Sequence, residues 1–232
     1  MSGLVIERVA DRAALAGVAL ERLRARMLET SGPFSVALSG GSTPVVLHEA
    51  WAKAAEWPWW RTVILYGDER CVPPEHADSN HGSAQSALLS KVSPAAVLRM
   101  PGEAEPKQGA SLYAKLLEGL TGGRIDVAFL GMGADGHTAS LFPGRASVPG
   151  TVAAVEPPKP GGHPRLTLTE SVLVEAEEVI VLVSGAEKAE TLSQVLSPGC
   201  ELPLARLLAA RGARSSTLVV DAEAAAHLSD RA

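Results

Sequence analysis

Short apolar runs alternate with helix-patterned segments along almost the whole chain, and this alternation constrains the fold more than any other feature. Val5 to Val9, Phe34 to Leu38, Thr62 to Tyr66, Ile125 to Leu130, Val179 to Val183 and Thr217 to Val220 read as strands. Helices are expected from the Asp11 cap to about Leu28, from the Pro44 region to about Ala55 and from Asp78-Ser79-Asn80 to about Leu89. Three more are expected over Glu105 to Leu120, Ala186 to Leu196 and Leu204 to Arg211, with a helical turn after Asp221. A strand covered on both faces reads as a near-continuous apolar run instead of an alternating one. The expectation is therefore an α/β fold: a mainly parallel central sheet with helices on both faces, Rossmann-like. Leu166 to Thr169 reads as a short extended segment, and the proline-rich stretch 156–164 as a surface connection. That stretch and residues 101–109 are too short to mark a boundary, so residues 1–232 are expected to form one domain.

Composition excludes several classes of function. The net charge of −5 over 232 residues argues against nucleic acid as a partner. It suits a protein that meets a small ligand at a local positive site. Cys71 and Cys200 are the only cysteines and form no C-x-x-C pair, which argues against a disulfide framework or a zinc site. No apolar run reaches the ~18 residues of a membrane span, and Met1 to Asp11 does not read as a secretory signal. A cytoplasmic protein is expected, a monomer or weak homo-oligomer that does not bind membranes.

The richest chemistry follows the Ile125 strand. Gly131-Met132-Gly133-Ala134-Asp135-Gly136-His137 places three glycines, a carboxylate and an imidazole within seven residues. An aspartate two positions from a histidine can orient it as a proton-transfer group. The same run satisfies G-x-G-x-x-G, with Glu156 twenty positions on. The context opposes a dinucleotide. Pro143-Gly144 leaves no room for the helix that the third glycine should open. Asp135 would also put negative charge where a pyrophosphate must sit.

Ser39-Gly40-Gly41-Ser42-Thr43-Pro44 joins a strand to a helix. Pro44 suits the first helical position, and Ser42 or Thr43 suits the cap. Free N–H groups at a helix start make a phosphate cradle, but no G-K-[ST] follows, which argues against a nucleoside triphosphate. Asp68-Glu69-Arg70 follows another strand. It reads either as a solvated loop or as a site in which Asp68 steers a proton and Arg70 meets an anionic oxygen. Arg165 and Lys188 each lie beside a strand-like segment, where a phosphate can be met. His76, Asp78 and His81 match no standard metal spacing, so no metal is expected. Trp51, Trp57, Trp59 and Trp60 read as core packing.

Taken together, these blocks resemble the 6-phosphogluconolactonase family. The matching residues are Ser39 to Pro44, Gly67 to Pro73, Asp78-Ser79-Asn80, Gly131 to Pro143, Pro158-Lys159-Pro160 with Arg165 to Thr169, and Ser184 to Ala189. They keep the family's order across nearly the whole chain. Leu202-Pro203-Leu204 departs from the usual Leu-Pro-Ala. Glucosamine-6-phosphate deaminases resemble the chain in the S-G-G-S-T-P and D-G-H blocks, but they carry a glutamate five residues past the histidine, where Phe142 stands here. Their Asp-Glu-Tyr is Asp68-Glu69-Arg70 here. The resemblance implies the glucosamine-6-phosphate deaminase/6-phosphogluconolactonase fold and hydrolysis of 6-phospho-D-glucono-1,5-lactone, with a sugar phosphate as the small-molecule partner and no cofactor. It implies His137 as general base, oriented by Asp135 or Asp68. Arg70 is implied at the oxyanion, and the Ser39-Gly40-Gly41-Ser42-Thr43 loop with Arg165 and Lys188 at the phosphate. A sugar-phosphate sensor without catalysis is the other reading, but no basic helix-turn-helix output module is visible.

Overall fold

The computed structural model describes residues 3–229. Seven parallel strands form the main sheet: β1 (Leu4–Val9), β2 (Phe34–Leu38), β3 (Thr62–Tyr66), β5 (Ala96–Val97), β6 (Val127–Gly131), β9 (Glu178–Val183) and β10 (Ser216–Asp221). Their spatial order is β1-β10-β9-β6-β2-β3-β5, and every neighbouring pair is parallel. The helices are α1 (Arg12–Glu29), α2 (Ser42–Ala52), α3 (Asn80–Ala84), α4 (Pro106–Thr121), α5 (Glu170–Glu175), α6 (Ala189–Val195) and α7 (Pro203–Arg211). The expected α/β architecture is present. Each residue of β2, β3, β9 and β10 is buried, as strands with helices on both faces must be.

A second, smaller sheet departs from the expectation. It is antiparallel, in the order β4-β8-β7, and comprises β4 (Asp68–Arg70), β7 (Val152–Val155) and β8 (Arg165–Leu168). The charged triplet Asp68-Glu69-Arg70 is thus a strand and not a solvated loop, and Glu69 is only 2% exposed. Charge patterning misreads it because these side chains are satisfied by partners far away in sequence. β5, β7 and α5 are too short to leave a periodic signal.

Local capping follows the sequence closely at two helices. The Asp11 side chain accepts from Ala14 N–H at α1, and Glu105 accepts from Gln108 N–H at α4. The α2 start differs from expectation. Gly41, at φ 107°, is the cap, so Ser42 and Thr43 are the first helical residues and neither side chain caps. A glycine takes that positive φ without strain. The helix expected over 186–196 opens as a 3₁₀ turn at Ala186–Lys188, and the segment after Asp221 is a hydrogen-bonded turn. Trp51, Trp57 and Trp59 pack against one another with Phe34 beside Trp57, whereas Trp60 is exposed.

Topology places the site. The chain runs from β2 outward to β3 and β5, and from β6 outward the other way to β9 and β10. Neighbouring strands β2 and β6 therefore feed connections that diverge, which opens a crevice beyond their carboxyl ends.

His48 on α2 is buried among these layers, and neither ring nitrogen has a hydrogen-bond partner. Burial pushes its pKa down from 6.5 to about 4. Between those values the unfolded chain binds a proton that the folded chain refuses, so stability must fall as pH drops through that window. The full effect is roughly 3 kcal/mol, from ~1.4 kcal/mol per pKa unit. Urea unfolding at pH 7.5 and 4.5 should show a His48→Leu variant losing about 2 kcal/mol less than the parent chain. Equal losses would exclude His48 as the acid-sensitive group.

Candidate active site

Four strand ends supply the residues. Beyond β6, the loop from Met132 to Phe142 closes on itself: Gly133 N–H donates to His137 O at 2.8 Å, and Gly136 N–H donates to Gly133 O at 3.0 Å. Thr138 Oγ1 donates back to Gly131 O at 2.8 Å. No helix follows before β7, which is why the loop's glycines make no dinucleotide site. Within this loop Asp135 Oδ1 lies 2.5 Å from His137 Nδ1 and 3.1 Å from His137 N. Burial raises the Asp135 pKa, but hydrogen bonds from the His137 ring and backbone outweigh it, and the carboxyl sits below its ordinary value. Asp135 is exposed and His137 half-buried, so the pair's main effect is to fix the ring and not to stabilise the fold.

Asp68 does not touch the ring. It is 6% exposed and accepts from Ser140 Oγ at 2.7 Å and Asn80 Nδ2 at 3.1 Å, with Arg165 Nη1 at 3.8 Å. Of the two carboxylates expected to orient the histidine, Asp135 makes the contact. Asp68 instead joins β4, α3, β8 and the β6 loop.

Glu69, next in the chain, organises the far wall. Its carboxylate accepts from Arg70 N–H, Ser79 Oγ, Asn80 N–H and His81 N–H at 2.7–3.1 Å. Burial raises its pKa and these donors lower it, and burial prevails. His81 turns away to the Tyr66 hydroxyl, 2.8 Å from Nδ1.

Arg70 and Arg165 are register partners across β4 and β8. Arg70 Nη1 donates to Asp78 O. The Nε atoms of both arginines are buried and have no protein acceptor. Burial and then the Arg70 charge lower the pKa of Arg165. Two adjacent guanidiniums with spare donors are built for an anion.

One cavity of ≈ 240 Å³ gathers Ser39, Gly40, Gly41, Asp68, Arg70, His137, Arg165 and Lys188. Ser42 and Thr43 begin α2 behind it and do not line it. Lys188 comes from the turn after β9, which Asp221 braces by accepting from Ser184 Oγ and Gly185 N–H. Asp221, Glu69, Asn80 and Ser140 are the supporting residues that sequence reasoning did not single out. Asn80 and Ser140 stood inside recognised blocks, but nothing local marked Glu69 as buried or Asp221 as a brace.

Phe142, buried, lies with its ring 5.1 Å from that of His137. It bounds the imidazole with an apolar side chain that cannot exchange a proton.

Residues 8–217 match the family model described as glucosamine-6-phosphate isomerases/6-phosphogluconolactonase. A 6-phosphogluconolactonase of Nostoc sp. is 35% identical over 208 residues, 84% of this chain and 86% of that protein. One of Treponema pallidum is 37% identical over 191 residues, 76% and 78% of the two chains. The solved 6-phosphogluconolactonase of Trypanosoma cruzi superposes with a TM-score of 0.85 at 28% identity, covering 99% of this chain and 98% of its own. With the family model matching 210 positions and relatives more than 30% identical over most of their length, the chain belongs to the glucosamine-6-phosphate isomerase/6-phosphogluconolactonase family.

Proposed function

We propose that this chain hydrolyses 6-phospho-D-glucono-1,5-lactone to 6-phospho-D-gluconate with His137 as general base. The observation that carries the mechanism is the 2.5 Å contact of Asp135 with His137, whose ring lines a cavity together with three cations. A carboxylate on Nδ1 holds the proton there and leaves the Nε2 lone pair toward the cavity. Nε2 takes a proton from water as the water oxygen bonds to the lactone carbonyl carbon. The tetrahedral intermediate then breaks its bond to the ring oxygen, and the Nε2 proton passes to that oxygen. Asp135 offsets the positive charge that the imidazole carries between the two transfers.

The 6-phosphate is assigned to Arg70 and Arg165 with Lys188 and the N–H groups of Gly40 and Gly41 at the start of α2. The register pairing of the two arginines favours Arg70 at the phosphate over Arg70 at the oxyanion. Phe142 beside His137 favours ester hydrolysis over amine release. The two thiols, Cys71 and Cys200, are unpaired, which supports a reducing, cytoplasmic setting. No described helix is long and apolar enough to cross a membrane.

The His137→Ala variant is expected to lose at least ~100-fold in kcat, the contribution of a positioned base. The assay follows disappearance of lactone generated enzymatically from glucose 6-phosphate, with ammonia release from glucosamine 6-phosphate measured in parallel. A near-normal rate would remove His137 from the chemistry, and ammonia release would favour the deaminase reading.

Arg165→Ala and Lys188→Ala should each raise KM about tenfold or more, as expected for loss of a charge-assisted contact present before and during reaction. An unchanged KM in both would refute the phosphate assignment.

Gly133 offers a subtler check. A Cβ there would stand 2.0 Å from His137 Nδ1 and 2.6 Å from Asp135 Oδ1. Gly133→Ala should therefore lower kcat by about 100-fold, near the lower end for losing the base, while thermal unfolding changes little at this surface loop. Retained kcat would show that the Asp135–His137 contact is dispensable.

A further inference from the structure

We propose that His76, Asp78 and His163 form a binding site for a divalent transition-metal ion, such as Zn²⁺, at the rim beside Arg70 and Arg165. One ligand atom from each of the three lies within 4.8 Å of the other two. His163 Nε2 is 3.3 Å from Asp78 Oδ2, and His76 Nδ1 is 3.9 Å from the same oxygen. Bonds of about 2.0–2.2 Å from imidazole and carboxylate to tetrahedral zinc put ligand atoms roughly 3.3 Å apart. One of the three pairs already stands at that separation, and the other two, which both involve His76, need its exposed imidazole to tilt inward. The two rings meet edge to face, 5.2 Å between centroids, so they converge on the carboxylate from different directions.

The ligands hang from one rigid frame. Arg70 pairs with Arg165, and Cys71 N–H donates to Pro164 O at 2.8 Å, which fixes His163 immediately outside the β4–β8 ladder. On the facing side His76 N–H donates to Pro73 O, Ser79 N–H donates to His76 O, and Arg70 Nη1 reaches Asp78 O. Binding on such a frame loses little conformational entropy. Two effects oppose the ion. Asp78 N–H now donates to His76 Nδ1 at 3.1 Å and must yield that lone pair. Arg165 and Arg70 add positive charge nearby, and Asp78 already acts on Arg165 through its charge. Two neutral imidazoles and one carboxylate still make a donor set suited to zinc, nickel or copper and poorly suited to magnesium or calcium. Three protein ligands leave one position open on the solvent side.

An ion here would clamp the 156–164 connection to the 76–78 turn, the two segments that carry the chain into Arg165 and out of Arg70. Such an ion needs no contribution from His137.

Calorimetric titration of the chelator-treated chain with Zn²⁺ at pH 7.5 tests it, together with the shift in thermal midpoint. The parent chain should bind one equivalent and gain thermal stability. Loss of even an outer partner of a metal ligand costs about 10–100-fold in affinity. His163→Ala and the shape-preserving His163→Gln should each therefore lose at least about tenfold, while His227→Ala, at an exposed histidine elsewhere, binds as the parent does. Absence of binding to the parent, an affinity in both His163 variants equal to the parent's, or a matching loss in His227→Ala would each overturn the site.

Discussion

The divergence of connections between β2 and β6 is the constraint on which the rest depends. Two parallel neighbours whose chains leave in opposite directions cannot both be covered at their carboxyl ends, so a crevice opens there. The Ser39-Gly40-Gly41 turn forms one lip and the Gly131–His137 loop the other. Glycine at Gly40 is required by this closeness, because a Cβ would fall 1.9 Å from the Asn80 side chain. That amide in turn holds Asp68. A backbone position, a buried amide and a carboxylate are thus coupled through direct contact.

Around the crevice, polarity is buried deliberately. Asp68 and Glu69 are consecutive, nearly inaccessible carboxylates, and a buried charge is costly unless it is paired or hydrogen-bonded. Asp68 finds Ser140, Asn80 and Arg165, while Glu69 finds three backbone N–H groups and Ser79. These contacts place Arg70 and Arg165 side by side with unpartnered Nε atoms. Burying two like charges together is unfavourable on its own: burial first, and then the Arg70 charge, lowers the pKa of Arg165. A bound dianion would reverse that cost, which is the role proposed for the two guanidiniums that the buried carboxylates hold in place.

Much of this was legible in the residues. The apolar runs at Phe34–Leu38, Thr62–Tyr66 and Val179–Val183 announced doubly covered strands, and all three are present over those residues or extend slightly beyond. His137 with Asp135, and the glycine turn after β2, stood out through local spacing alone. The antiparallel sheet did not, because β7 and β8 have four residues each and β4 only three charged or polar ones. Their pairing is a long-range property with no periodic signature. Ser42 and Thr43 were expected in the phosphate cradle because helix starts favour hydroxyls, yet a glycine at φ 107° caps α2 and turns them into its first turn.

By itself the sequence determined the longer parallel strands, most of the helices and the short loops that hold the candidate site residues, since periodicity and glycine placement act over a few residues. Tertiary structure alone decided which distant groups meet. It chose Asp135 over Asp68 as the partner of His137. It replaced His81 with His163 beside His76 and Asp78, by drawing His81 to the Tyr66 hydroxyl. It buried Asp68 and Glu69 in a triplet that read equally as a solvated loop or as a site. The physical reason is the same in each case: a charged side chain settles where desolvation is offset by partners, and those partners lie up to 97 positions away, as Arg165 does from Asp68.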